Sequence, residues 1–257
     1  MDKGITSTAQ EVLEKRYFLD GESTWDQLAT RVANHFSSSE KEEQDFKQVL
    51  STCDFLLNSP ALMNAGTEIE SYSACYTLPV EDNMASIFKY YSDAALISKS
   101  GGGVGANFSH LRAKGAPIGK GLGRSSGPIS FMKVQNEATE AVAQGGRRKG
   151  ANMMILDCDH PDIWEFIRAK DTDGVLTNAN LSVRISDRFM LSALNGDPSA
   201  NAEDAYNVEL WRELCERAWS SAEPGVLFGD TIERGNTVPH LGKLEQTNPC
   251  GIRDLQL

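Results

Sequence analysis

The chain has 257 residues, with 25 basic and 36 acidic side chains and a formal charge of −11 at pH 7, a balance that argues against non-specific attraction to nucleic acid or anionic lipid. At 40% hydrophobic and 24% charged it has the composition of one or two globular domains with a substantial core, not of a disordered tail. The longest uncharged apolar runs, residues 152–156 and 94–97, fall far short of the ~18 residues that cross a bilayer, and Met1-Asp2-Lys3-Gly4 opens no signal peptide, so a cytoplasmic address is expected.

Helices are expected over residues 8–19, where Thr8 and Glu11 have capping-box spacing, over 24–36, where Thr24 and Gln27 do, and over 42–57. Ser59-Pro60 with Asn64-Ala65-Gly66 reads as a loop that closes a helical N-terminal region, residues 1–58. Beyond residue 70, short apolar runs at 74–80, 104–108, 151–156 and 181–185 alternate with helical patterns at 85–97, 129–143 and 162–169. A helix at 205–221, an apolar run at 225–228 and a short helix from Asp230 follow. Strands alternating with helices imply a mostly parallel α/β sheet or barrel, assigned to residues 59–257.

Within this frame, the stretch from Ser100 to Gly105 carries four glycines, which remove the Cβ obstruction to close approach. It lies between a helix and a strand, whereas phosphate loops connect a strand to a helix, so a packing turn and a ligand loop both remain open. Gln144-Gly145-Gly146-Arg147-Arg148-Lys149-Gly150 places three consecutive cations between glycines in an acidic chain, which suits either an anion-seeking loop or a solvated surface loop. Arg112, Lys114 and Lys120 form another basic, glycine-rich loop, and together the two suggest that phosphates of a small nucleotide are held between them.

Asp157-Cys158-Asp159-His160 clusters metal-ligand types, yet there is no second ligand set at metal spacing, and Asp159 before His160-Pro161 reads as a helix N-cap. No metal site is expected. The five cysteines show no CxxC spacing and read as thiols in a reducing compartment. Asn248-Pro249-Cys250-Gly251 either presents a sulfur on a tight loop or is a loop cysteine of no consequence.

Taken together, Ser59-Pro60-Ala61-Leu62-Met63-Asn64-Ala65-Gly66, Ser73-Ala74-Cys75, the glycine stretch, the Gln144 to Gly150 loop and Thr247-Asn248-Pro249-Cys250-Gly251 resemble, in order, the ribonucleotide reductase large subunits. His160-Pro161-Asp162-Ile163 and Glu223-Pro224-Gly225-Val226-Leu227-Phe228 are most similar to the adenosylcobalamin-dependent class II branch; a class I subunit fed by a separate radical-generating partner is the alternative. The resemblance implies a helical N-terminal region followed by the first half of a ten-stranded α/β barrel. It makes Cys250 the thiyl-radical site, Cys75 one member of a reducing dithiol reset by an external dithiol, and Asn248 a ribose contact. Ser59 and the backbone around Ala74 and Gly103 would contact the substrate. Asp82, Arg112 and Lys120 would hold a deoxynucleoside triphosphate effector. Gln144, Arg147 and Arg148 belong to the loop between effector and substrate base, and residues 84–97 and 129–143 would be the helices of a homodimer.

The chain departs from the family pattern after Gly251, where Ile252 stands in place of a glutamate; Asp254 is not assigned its role. The second reducing cysteine and the second five strands have no counterpart in the sequence, so the expectation is an N-terminal portion that does not reduce ribonucleotides without its other half. A non-catalytic nucleotide-binding, dimerising fragment is the competing reading.

Overall fold

Four helices build the first part of the chain: α1 (Ser7–Arg16), α2 (Trp25–Phe36), α3 (Glu40–Ser51) and α4 (Ser59–Asn64). The structure, a computed structural model, describes residues 5–69, 71–119, 121, 123–143, 150–172 and 174–251. It divides into two compact units, one ending at Ala74 and one beginning at Cys75.

In the first unit Leu13, Leu28, Ala29, Val32, Leu50, Leu62 and Ala65 form the core. The Thr24–Gln27 capping box is present, the Thr24 side chain accepting from Gln27 N at 3.3 Å and the Gln27 side chain from Thr24 N at 3.1 Å. The expected Thr8 box is not the start of α1: Thr6 caps it, accepting from Ala9 N, and Thr8 lies inside the helix. α3 likewise starts earlier than expected, at the Ser39 cap, and ends at Ser51.

The stretch read as a closing loop is helix α4. Asn58 caps it by accepting from Ala61 N, and Pro60 falls in the first turn, where a missing N–H costs nothing. Arg31 of α2 ties α4 down. Its guanidinium donates to Leu62 O and Ala65 O as well as to both Glu22 carboxylate oxygens. The 58/59 boundary drawn from sequence therefore falls inside the first unit.

The second unit runs β1 (Cys75–Thr77), α5 (Met84–Lys99), β2 (Gly103–Asn107), α6 (Pro128–Ala143), β3 (Asn152–Asp157), α7 (Ile163–Ile167), β4 (Ala179–Ile185), α8 (Asp187–Asn195), α9 (Ala202–Ser221), β5 (Gly225–Phe228) and α10 (Gly229–Arg234). The strands form one five-stranded sheet in the order β1-β2-β3-β4-β5, every neighbouring pair parallel. The expected parallel α/β architecture is present; α8 was not anticipated.

The strands alternate. Val104, Ala106, Phe108, Met154, Leu156, Leu181, Val183 and Ile185 pack with Ile87, Tyr90, Met132, Phe166 and Leu210 of the helices in the main core. The opposite face carries Cys75, Gly103, Gly105, Asn107, Ser182 and Arg184, by the two-residue period of a strand.

At the end of β3 the sequence-derived cap is corrected. α7 is preceded by Asp162, not capped by Asp159. His160 instead accepts from Asp162 N at Nδ1 (3.0 Å) and sets Nε2 2.9 Å from Leu111 O, so both ring nitrogens are engaged in local structure.

Candidate functional site

β2 dictates the site. On its polar face Gly103 and Gly105 lack side chains, and Asn107 follows them two residues on. The segment 244–251 crosses this face antiparallel to β2, with Leu244, Gln246, Thr247 and Asn248 buried. Asn107 sets its register by donating from its backbone N to Gln246 Oε1 and from Nδ2 to Glu245 O, each at 3.0 Å. A Cβ at Gly105 would lie 1.9 Å from Thr247 O, and one at Gly103 would lie 3.0 Å from Pro249 Cγ and 3.2 Å from Cys75 Sγ. The two glycines are therefore the space through which the segment passes.

Asn107 is itself held on all sides. Its Oδ1 accepts from Ser109 N and Ser109 Oγ, and its Nδ2 also reaches Asp157 Oδ1 at 3.2 Å. Beyond Pro249 the chain turns, Gly251 N donating to Asn248 O at 2.9 Å, and Gly251 takes φ +73°, the left-handed region glycine permits. That turn brings Cys250 Sγ to 3.6 Å from Cys75 Sγ, at the start of β1. This is a contact between two thiols, longer than the ~2.05 Å of an S–S bond. Cys250 is exposed and Cys75 partly buried.

The other cysteines have different settings. Cys158 is buried, and desolvation pushes its thiol up to about 11. Cys53 and Cys215 are exposed. A cleft of about 470 Å³ at the C-terminal ends of β3 and β4 is lined by Asp157, Cys158, Arg184, Arg188 and Glu203. Each of its arginines already faces a carboxylate, Arg184 that of Asp157 and Arg188 that of Glu203.

Asp82 and Arg112, separated by 30 residues, are also brought together. Arg112 Nε donates to Asp82 Oδ2 at 2.7 Å, and Arg112 N lies 3.3 Å from Asp82 Oδ1. Both side chains are more than a third exposed, so the pair is worth about 1 kcal/mol or less, and Arg112 Nη1 also donates to Pro117 O at 3.0 Å. It stands at the N-terminus of α5, whose cap is Asn83. Lys114, read with the same basic loop, is turned instead to Glu165 at 3.0 Å.

Ser59 opens α4 in the first unit, with its hydroxyl 2.8 Å from Tyr17 Oη, and Ala74 is the last residue of that unit. Lys120, Gln144, Arg147 and Arg148 lie outside the described residues.

Two features escaped the sequence reading. Asn107 was one; a polar residue continuing the Gly103, Gly105 alternation was its signal. The other is a buried network near the end of α6. Gln135 Nε2 donates to Thr139 Oγ1 and Asn152 Oδ1, and Asn152 Nδ2 donates to Thr139 Oγ1 and Asn178 O. It fastens α6 to the starts of β3 and β4, and an amide in the apolar run of β3 was its trace in the sequence.

Comparison with known proteins agrees with this architecture. Residues 3–70 match the family model of the ribonucleotide reductase all-alpha domain, and residues 73–205 and 193–251 match that of the ribonucleotide reductase barrel domain. A vitamin B12-dependent ribonucleoside-diphosphate reductase of Thermoplasma acidophilum is 40% identical over 98% of this chain and 34% of its own length. One of Mycobacterium tuberculosis is 36% identical over 96% of this chain and 39% of its own. The chain thus spans little more than a third of the length of these two relatives. Among solved structures, the alpha subunit of the Actinobacillus ureae class Id ribonucleotide reductase superposes with a TM-score of 0.81 at 22% identity, over 96% of this chain and 45% of that one, a likeness of fold. With both its helical and its sheet-bearing regions matched, the chain belongs to the ribonucleotide reductase large-subunit family.

Proposed function

We propose that the chain contributes the radical cysteine and the specificity effector site to the reduction of ribonucleotides to 2′-deoxyribonucleotides for DNA synthesis. The observation that carries this reading is the delivery of Cys250, along a glycine-floored strand face, to 3.6 Å from Cys75. Placing a sulfur against a substrate hydrogen is a positioning problem, and the register set by Asn107, through its buried amide and its backbone N, fixes the stretch that carries Cys250.

In this reading Cys250, as a thiyl radical, takes the 3′ hydrogen atom of the ribose. The 2′ hydroxyl leaves as water, and Cys75 with a second thiol supplies two electrons, the two becoming a disulfide that an external dithiol reduces. Ribonucleotide and two thiols thus give deoxyribonucleotide, water and one disulfide. Asn248, buried two residues before the sulfur, hydrogen-bonds the ribose, and Ser59 and the backbone at Ala74 and Gly103 contact the substrate.

The named relatives support adenosylcobalamin as the radical source, which supplies one-electron chemistry when bound. What this chain presents to it is Cys250, exposed on its turn; no described residue is assigned to the corrin. Asp82, Arg112 and Lys120 hold the effector triphosphate, the exposed Asp82–Arg112 pair opening to admit it, and Gln144, Arg147 and Arg148 relay effector identity to the substrate base. Exposed Phe88 and Leu96 on α5 and Val134 on α6 support a homodimer through those helices. Among the described residues no helix is long and apolar enough to cross a membrane, and a reducing cytoplasm suits the cysteine chemistry.

Calorimetric titration with deoxynucleoside triphosphates tests the effector half: binding is expected, weakened at least tenfold by Arg112→Ala. Deoxyribonucleotide formation with adenosylcobalamin and dithiol, by the chain supplemented with the region of its relatives that it does not span, tests the rest. It is expected to vanish in Cys250→Ser, and turnover retained by that variant would overturn the assignment.

A further inference from the structure

We propose that Cys75 and Cys250 also form a redox pair with each other, closing under a small-molecule disulfide into an intramolecular cross-link that holds both sulfurs inert until they are reduced. In the reaction cycle above, Cys75 is oxidised with a different cysteine and Cys250 stays available. Here the hydrogen-abstracting sulfur is itself taken out of use.

The geometry favours this pairing. The two sulfurs stand 3.6 Å apart, so closing to the ~2.05 Å of a disulfide needs a shift of roughly 1.5 Å. The movement falls on the exposed partner: Cys250 lies in the turn from Asn248 to Gly251, where a Cβ on Gly251 would meet nothing within 4 Å. The stem of that turn stays anchored by Asn107 and by the floor at Gly105, which keeps Cys250 opposite Cys75 while its side chain rotates. Cys158 is buried with its thiolate disfavoured, and the sulfur–sulfur contact among the described residues is that of Cys75 with Cys250; exposed Cys53 and Cys215 take mixed disulfides with the small thiol instead.

The chemistry is ordinary exchange. The Cys250 thiolate attacks one sulfur of a disulfide such as oxidised glutathione, whose S–S bond breaks and releases one thiolate. The Cys75 thiolate then attacks the Cys250 sulfur of the mixed disulfide and displaces the second. Two protein thiols are oxidised, one small disulfide is reduced to two thiols, and the protons given up by the cysteines are taken by the leaving thiolates. Pair formation rests on geometry; its consequence, silencing of the site, rests on the roles given to Cys250 and Cys75 above.

The test is equilibration of the 257-residue chain in a series of glutathione redox buffers, followed by acid quench, alkylation and peptide mass mapping. One linked peptide containing Cys75 and Cys250 is expected, in a monomer, that dithiothreitol dissolves, while exposed Cys53 and Cys215 carry glutathione adducts only. In Cys75→Ser the linked peptide should give way to a glutathione adduct on Cys250. Absence of that linked peptide at the most oxidising ratio, a linked peptide containing Cys53, Cys158 or Cys215, or a link between two chains would overturn the proposal. Failure of the functional reading looks different: the linked peptide forms, yet reduction in the supplemented assay survives Cys250→Ser.

Discussion

Gly105→Ala is the sharpest perturbation of the site. The added methyl would sit 1.9 Å from Thr247 O, 2.8 Å from Thr247 C and 3.0 Å from Asn248 Cα, where comfortable separation is about 3.5 Å or more. All three atoms are backbone, so no side-chain rotation relieves the overlap. β2 is held between β1 and β3 by parallel pairing on both sides, so the crossing segment must move, by roughly 1.5 Å or more at Thr247. That displacement breaks the two Asn107 bonds to Glu245 O and Gln246 Oε1, about 1 kcal/mol each net. Overpacking strain adds about 1–3 kcal/mol. The second unit should therefore lose about 3–5 kcal/mol, which at a typical urea dependence lowers its midpoint by about 1–2 M, unless the segment detaches and leaves the sheet folded. Trypsin separates these cases by its rate of cleavage after exposed Lys243, which rises if the segment lifts away. Gly121→Ala is the control, since a Cβ there meets nothing within 4 Å and no positive φ is required. A Gly105→Ala protein with the wild-type midpoint and wild-type resistance at Lys243 would refute the claim that the glycines are the floor of the site.

In the first unit, Arg31→Met should cost about 3–5 kcal/mol in urea unfolding, because it leaves the Glu22 carboxylate, only 11% exposed, without its ion partner and removes the donor to Leu62 O and Ala65 O; adding Glu22→Gln should recover part of the loss, and a cost under about 1 kcal/mol would refute the clamp. For Cys158, burial raises the folded-state thiol to about 11 from the 9.0 of a free thiol, so below pH 9 both states hold the proton. Between 9 and 11 only the folded state does, and its contribution, of the order of 2–3 kcal/mol in all, is lost as pH rises through that window. Stability measured from about pH 8 to 11 should fall less steeply in Cys158→Ala, and equal slopes would count against the burial.

Much of the fold was legible because local signals and tertiary packing agreed. Val104, Ala106 and Phe108 face the helices at alternate positions, and the Thr24–Gln27 box opens α2 where its spacing indicates. Where signals were shared between neighbours the reading slipped: Thr6 and Thr8 compete for one cap, and only the packed helix decides. Ser59-Pro60 carries a breaker signal that Asn58 and the Arg31 clamp convert into the start of α4. The site was less legible. Cys75 and Cys250 are 175 residues apart, and nothing in their spacing announces contact; the family resemblance, not the residues alone, singled them out. The glycine run posed a choice between a turn and a ligand loop, and the structure divides it. Gly101, at φ +84°, makes the turn after α5, while Gly103 and Gly105 are strand residues that admit another stretch of backbone.

That division explains why β2 tolerates so little side chain. A strand buried on both faces normally reads as a continuous apolar run, yet β2 is Gly-Val-Gly-Ala-Asn. Its valine and alanine satisfy the helix side, and its glycines leave the other side to a crossing segment that brings its own hydrogen-bonding groups. Asn107 makes that crossing specific: a slip by one residue along β2 would part its backbone N from Gln246 Oε1 and its Nδ2 from Glu245 O together, and would carry Cys250 past Cys75. Past the end of β2 the chain turns through Ser109, bonded to Asn107 and to Asp157 N, towards Arg112 and its partner Asp82. The start of β2 thus faces the two thiols while its end leads to the pair proposed to bind the effector, so a change in the register of this strand would register at both.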